Sequence, residues 1–250
     1  MYTEKELSKM VFFDLETAST YPTLVDLEEA NPRMAELWIK RCDYLRSRFE
    51  ENREKSNEEL YIEKAALTPE FSRIVCASFG RLALTEDPIL GTVATFSAKS
   101  YASKDEAAVL KGIHKVFESF SDWKFVGHNI KRFDVPMMCK RLLMSDQSLP
   151  KGLQIQNLKP WEMPFIDTSE VWSFGAWQEG FASLELLATS LGLETPKGDI
   201  RGEDVGRVFW QEGDIDRIAA YCQRDIQCVA NVVLKLSGLR PVEDLQLQGT

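Results

Sequence analysis

The 250-residue sequence predicts an α/β fold with a mixed sheet, and three observations carry that expectation. Short apolar runs of strand length alternate with longer stretches whose apolar residues recur at helical spacing. Two strand-like runs, residues 74–79 and 92–96, follow each other across a turn at Glu86-Asp87-Pro88. From there on, helices and strands alternate to the end of the chain. With 44% hydrophobic residues there is apolar material for a packed core, so one domain over residues 1–250 is expected.

Taken in order, Met10-Val11-Phe12-Phe13 reads as a buried strand that turns polar at Asp14-Leu15-Glu16-Thr17. Residues 24–66 then change character, rich in Glu, Arg and Lys. Met34, Trp38, Cys42, Leu45 and Phe49 fall at helical spacing, so this insertion predicts one long amphipathic helix and a second short one. After the two strands, Ser103 and Glu106 have the spacing of a capping box. The helix it opens carries the stripe Leu110, Ile113, Phe117 and Phe120. Residues 124–126 form a short strand leading into Gly127-His128-Asn129, with a helix over 135–143. A strand over 164–166 ends at Asp167, and helices cover 183–191 and 214–236. No internal repeat or linker interrupts this order.

Composition excludes several classes. No apolar run approaches the ~20 residues that span a bilayer. Residues 1–10 mix charges where a secretory signal needs an apolar block, so a soluble, cytoplasmic protein is expected. The five cysteines, at 42, 76, 139, 222 and 228, form no C-x-x-C pair and read as reduced thiols. Two histidines argue against a multi-histidine zinc site. A net charge of −9 argues against a duplex-coating protein, but suits an enzyme that concentrates carboxylates around divalent cations.

Three groups of residues carry the chemistry. Asp14 and Glu16, two apart on a strand, share one face about 7 Å apart at the backbone. Two such acids repel unless a cation lies between them; an exposed strand edge is the bland alternative. Asp134 follows the Gly127-His128-Asn129 turn at a helix start, where helix capping would also account for an acid. Tyr221 and Asp225 stack at i, i+4 beside the core stripe of the last helix, which includes Ile218, Cys222, Ile226 and Val229. An ionised Asp at that boundary is costly unless it is paired or bound to metal.

In this order, Phe12-Phe13-Asp14-Leu15-Glu16-Thr17, Gly127-His128-Asn129 through Phe133-Asp134, and Tyr221-Cys222-Gln223-Arg224-Asp225 resemble the three motifs of the DEDD exonucleases. The tyrosine marks the DEDDy branch. The wording is similar to the proofreading domain of family-B DNA polymerases, and closer still to free-standing predicted 3′–5′ exonucleases related to it. Residues 183–188, Pro196-Lys197-Gly198-Asp199 and Gly213-Asp214-Ile215 resemble that family between its motifs. The resemblance implies an RNase H-like fold: a mixed sheet of about five strands flanked by helices, here with the 24–66 helical insertion after the first strand.

It also implies a reaction: hydrolysis of the terminal phosphodiester of a single-stranded DNA 3′ end by two divalent cations, Mg²⁺ or Mn²⁺. Asp14 would bridge both ions, Glu16 and Asp225 would complete one and Asp134 would support the other. Tyr221 would orient the attacking water. The family pattern sets Asn129 near the terminal nucleotide, and Leu15, Thr17 and Phe133 are further candidate substrate contacts. RNA 3′ ends remain an alternative substrate, and a noncatalytic nucleic-acid-binding module an alternative class.

Secondary candidates have bland readings beside the functional ones. His128 reads as a substrate contact or as a strand-end residue tied to backbone. Lys131, Arg132, Lys197 and Arg201 read as a phosphate track or as solvated surface. Trp172, Phe174 and Trp177 read as base-stacking groups or as loop anchors. No membrane contact is expected, and the residues name no protein partner.

Overall fold

The computed structural model describes residues 1–176, 182–195 and 198–242, and the backbone of 245–247. Its centre is strand β1 (Met10–Ser19), preceded by a one-turn helix α1 (Glu4–Leu7). Helices α2 (Leu24–Ala30), α3 (Pro32–Arg48) and α4 (Asn57–Lys64) follow. The hairpin strands β2 (Ser72–Asp87) and β3 (Gly91–Ala102) come next, then α5 (Glu106–Ser119), β4 (Lys124–Gly127) and α6 (Asp134–Met144). The chain continues through β5 (Phe165–Asp167), α7 (Thr168–Ser173), α8 (Leu184–Ser190), the single turn α9 (Val205–Arg207), the long α10 (Ile215–Leu236) and β6 (Leu245–Leu247). The strands form one mixed sheet in the order β5-β4-β1-β2-β3-β6. β1 runs antiparallel to β2 and parallel to β4, so it lies between the two kinds of pairing.

The period-2 alternation of β1 divides the core. Val11, Phe13 and Leu15 face one layer, where they pack with Leu110, Ile113 and Phe117 of α5 and Met138 and Leu142 of α6. Phe12 faces the other layer, against Ile226, Val229 and Val233 of α10. The insertion builds a small core of its own around Trp38, Cys42, Leu60, Tyr61 and Phe71. Trp38 and Tyr61 meet edge to face at 5.3 Å.

The structure corrects four local expectations. Asp14 and Glu16 are not at the strand end: the ladder of β1 with β2 continues to Ser19↔Ser72, so both lie in mid-strand. The insertion has one long helix and two short ones, because Asn31 caps α3 through the Met34 amide and Pro32 begins it, which ends α2. Ser103 and Glu106 do not form a capping box. Asp105 caps α5, while Glu106 turns to a bidentate pair with Arg141 and to the Ile74 amide. The sheet also has a sixth strand, β6, which extends it beyond β3. Among the described residues no helix is long and apolar enough to cross a membrane.

Candidate active site

Asp14 and Glu16 stand on the α10 side of β1, just past the point where its ladder with β4 ends. The parallel ladder ends at Phe12↔Val126. Gly127 then passes so close to β1 that a Cβ there would lie 2.8 Å from the Phe13 carbonyl oxygen and 2.2 Å from Ile130. Beyond that point β1 has no neighbour on this edge. The Leu15 amide donates instead to Asp134 Oδ1 at 3.1 Å, from the first residue of α6. A gap in the sheet is therefore what draws the third acid to the first two.

On the other side, a bulge between Glu16 and Thr17 sends Val75 and Cys76 of β2 into the same core layer under α10. Cys222 of α10 brings its thiol to 3.4 Å from the Asp14 carbonyl and 3.5 Å from Asp14 Oδ2. Tyr221 and Asp225 flank it on the same helix, and the phenol hydrogen-bonds the Asp225 carboxylate. Asp14 and Asp225 line a cleft of about 560 Å³ with His128, Asn129, Arg132 and the 182–184 segment.

The electrostatics are those of acids crowded together, with the Arg224 charge only partly offsetting the strain on Asp225. Burial pushes Asp14 well above the usual carboxylate range, and the Asp134 charge pushes it further. Burial does the same to Glu16, followed by Asp14 and Asp225. Asp134 and Asp225 are each pushed up to about 8, in both cases chiefly by burial. Tyr221 is raised by burial and then by Asp225, Glu16 and Asp14, so the phenol keeps its proton at neutral pH. Among the described residues no salt bridge reaches any of the four carboxylates. Asp225 Oδ1 is buried without a hydrogen-bond partner.

This donor set suits divalent cations. Asp14, Glu16 and Cys222 each bring one ligand-capable atom within 4.8 Å of the others. Hard carboxylate oxygens match oxygen-seeking ions. The Cys222 thiol is raised by burial and stays protonated, so it serves as a donor to Asp14. Its closeness to Asp14 had no signal in the sequence, where it reads as one more apolar position on α10.

The expected substrate contacts divide. Asn129 lines the cleft in a left-handed conformation with φ 59°, which Asn tolerates better than most residues. Phe133 caps α6 and is half-buried against the α5–α6 core layer. Leu15 and Thr17 turn inward: Leu15 is core, and the Thr17 hydroxyl donates to the Ala66 carbonyl at 2.8 Å. His128 is tied to backbone, as one of its two readings has it. Its Nε2 donates to the Ala182 carbonyl, and Nδ1 meets the Thr168 hydroxyl, both at 2.9 Å. Lys131 pairs with Glu170 at 2.6 Å, Arg201 lies on the surface near Glu203, and Phe174 is exposed. Trp177, Pro196 and Lys197 lie outside the described residues.

Asp167 was legible only as a strand end. It is buried, and its carboxylate accepts from the amides of Asn129, Lys131 and Ser169 and from the Ser169 hydroxyl. It thereby fixes the turn that presents Asn129.

Known proteins agree with this picture. A family model described as a predicted 3′–5′ exonuclease related to the exonuclease domain of PolB matches residues 66–240. That span contains Asp134, Tyr221 and Asp225; Asp14, Glu16 and nearly all of the insertion lie before it. The family B DNA polymerase of the hyperthermophilic archaeon Pyrobaculum calidifontis superposes with a TM-score of 0.52 and 13% identity. The match covers 92% of this chain and 24% of the polymerase. The fold is thus the RNase H-like α/β fold of a PolB exonuclease domain. No curated protein shows significant similarity to the chain.

Proposed function

We propose a specific reaction on one premise: this chain belongs to the family of predicted 3′–5′ exonucleases related to the exonuclease domain of PolB, and is an exonuclease of that type. The substrate is the 3′ end of single-stranded DNA, and the product a nucleoside 5′-monophosphate. The observation that supports this reading is the convergence of Asp14, Glu16, Asp134 and Asp225, from three distant segments, close enough to raise one another's pKa, with Asp14 and Asp225 open to one cleft.

Asp14, at the centre, would hold both of two divalent cations, Mg²⁺ or Mn²⁺; Glu16 and Asp225 would complete one, and Asp134 would support the other. When bound, such a pair neutralises the phosphodiester and makes a water nucleophilic at neutral pH. Tyr221 keeps its proton and donates a hydrogen bond to Asp225, so its oxygen could accept a hydrogen bond from the attacking water and orient it. It is no general base, because its pKa is raised far above neutrality. Asn129, which lines the same cleft, would contact the terminal nucleotide.

The test is nucleotide release from 3′-labelled DNA and RNA oligonucleotides of one sequence, with Mg²⁺ or Mn²⁺ and with chelator. The expected result is mononucleotide release from DNA that stops with chelator. Equal or faster release from RNA would transfer the assignment to RNA ends, and no release from either would leave a binding module.

A further inference from the structure

The insertion presents a second groove, of about 660 Å³, between α3, the 67–71 segment and α6. Three of its lining side chains leave apolar surface in water: Leu37 is 39% exposed, Tyr44 51% and Leu67 56%. Its charge is the reverse of the chain's. Lys40, Arg41 and Lys140 line it against one carboxylate, Glu70, which is hydrogen-bonded to Lys140 at 3.2 Å. The chain as a whole carries −9. The Arg41 guanidinium lies over the Tyr44 ring, 5.0 Å from its centroid, a cation–π contact.

Two elements of the groove also carry, or directly adjoin, residues of the acidic site. Leu67 follows Ala66, whose carbonyl receives the Thr17 hydroxyl, and Thr17 follows Glu16. Lys140 and Asp134 share α6, six residues or about 9 Å apart along its axis. Cations beside an aromatic platform are what an unpaired nucleic-acid strand needs: charge for its phosphates and a flat apolar face for a base.

We propose that this groove seats the unpaired DNA strand upstream of the hydrolysed 3′ end, with phosphates on Lys40, Arg41 and Lys140 and a base against Tyr44. The inference rests on the exonuclease reading and adds a site outside the catalytic cleft, with Lys40, Arg41 and Tyr44 contributed from before the matched family segment.

The test compares a 20-nucleotide with a 3-nucleotide oligodeoxythymidylate. In the Lys40→Glu/Arg41→Glu double variant, KM for the 20-mer should rise about tenfold or more with kcat within twofold. The trimer should be unaffected, and the salt dependence of 20-mer binding should weaken by roughly one to two units of slope. Tyr44→Ala should weaken 20-mer binding, and Tyr44→Phe should restore it. Equal responses of both lengths, or no response of either, would overturn the groove assignment and leave the face to a protein partner. Binding is also measured by anisotropy on Asp14→Asn protein in chelator, so the groove is tested even if no hydrolysis is found. Unchanged melting temperatures of the variants would show that they fold.

Discussion

Two buried carboxylate regions beside the cleft are held in opposite ways. Asp167, in the wall, accepts four hydrogen bonds from three neighbouring residues, so its buried oxygens are satisfied by the protein itself. Asp14, Glu16, Asp134 and Asp225, in the floor, repel one another; Asp225 keeps a buried oxygen with no partner. The difference separates an acid satisfied by protein hydrogen bonds from acids that mainly burden one another. The wall lowers the energy of the apoprotein. The floor raises it, and a divalent cation would recover that cost.

The largest expected effect opposes two substitutions. Asp14→Asn should cut nucleotide release by on the order of 10³-fold or more, while the melting temperature in chelator stays level or rises, since one repelling charge is gone. Asp167→Ala should do the reverse to stability. It leaves three amides and a hydroxyl without their acceptor, at about 2–4 kcal/mol, and lowers the melting temperature by roughly 5–15 °C with or without cations. If both variants lost stability alike, the contrast between floor and wall would collapse.

A second measurement follows stability against pH. Asp134 and Asp225 titrate near 8 when folded, against about 3.9 in the unfolded chain. Between these values the folded state holds protons that the unfolded state has released, so stability in chelator should fall as pH rises from about 4 to about 8. We expect a melting temperature roughly 5–15 °C lower at pH 8.5 than at pH 5. Saturating Mn²⁺ should remove most of that slope, and an unchanged slope would mean that the acids bind no cation.

The smallest effect sharpens the role of Tyr221. Tyr221→Phe removes one oriented hydrogen bond, about 1.4 kcal/mol, and should lower kcat on the order of tenfold. Mn²⁺ affinity should stay within twofold, because the carboxylates remain. A loss as deep as that of Asp14→Asn would assign the phenol a larger part than orientation.

Much of this site was legible because its chemistry is written in local periods. Asp14 and Glu16 share a strand face, and Tyr221 and Asp225 share a helix face, whatever the rest of the chain does. The capping box misread at Ser103 shows the limit. Glu106 had the right spacing, yet Arg141 and the Ile74 amide, both distant in sequence, offered its carboxylate stronger partners. In the insertion the expected stripe from Met34 holds as α3, and what was missed is the short α2 that ends at the local break Asn31-Pro32.

From its own residues the chain determined the alternation of strands and helices, the acids on their faces and the −9 charge that favours a cation ligand. Only the tertiary structure decided that β4 ends opposite Phe12, which left the Leu15 amide open to Asp134, and that Cys222 reaches Asp14. Backbone groups the sheet leaves unpaired depend on partners far along the chain, and no local spacing encodes where such partners stop.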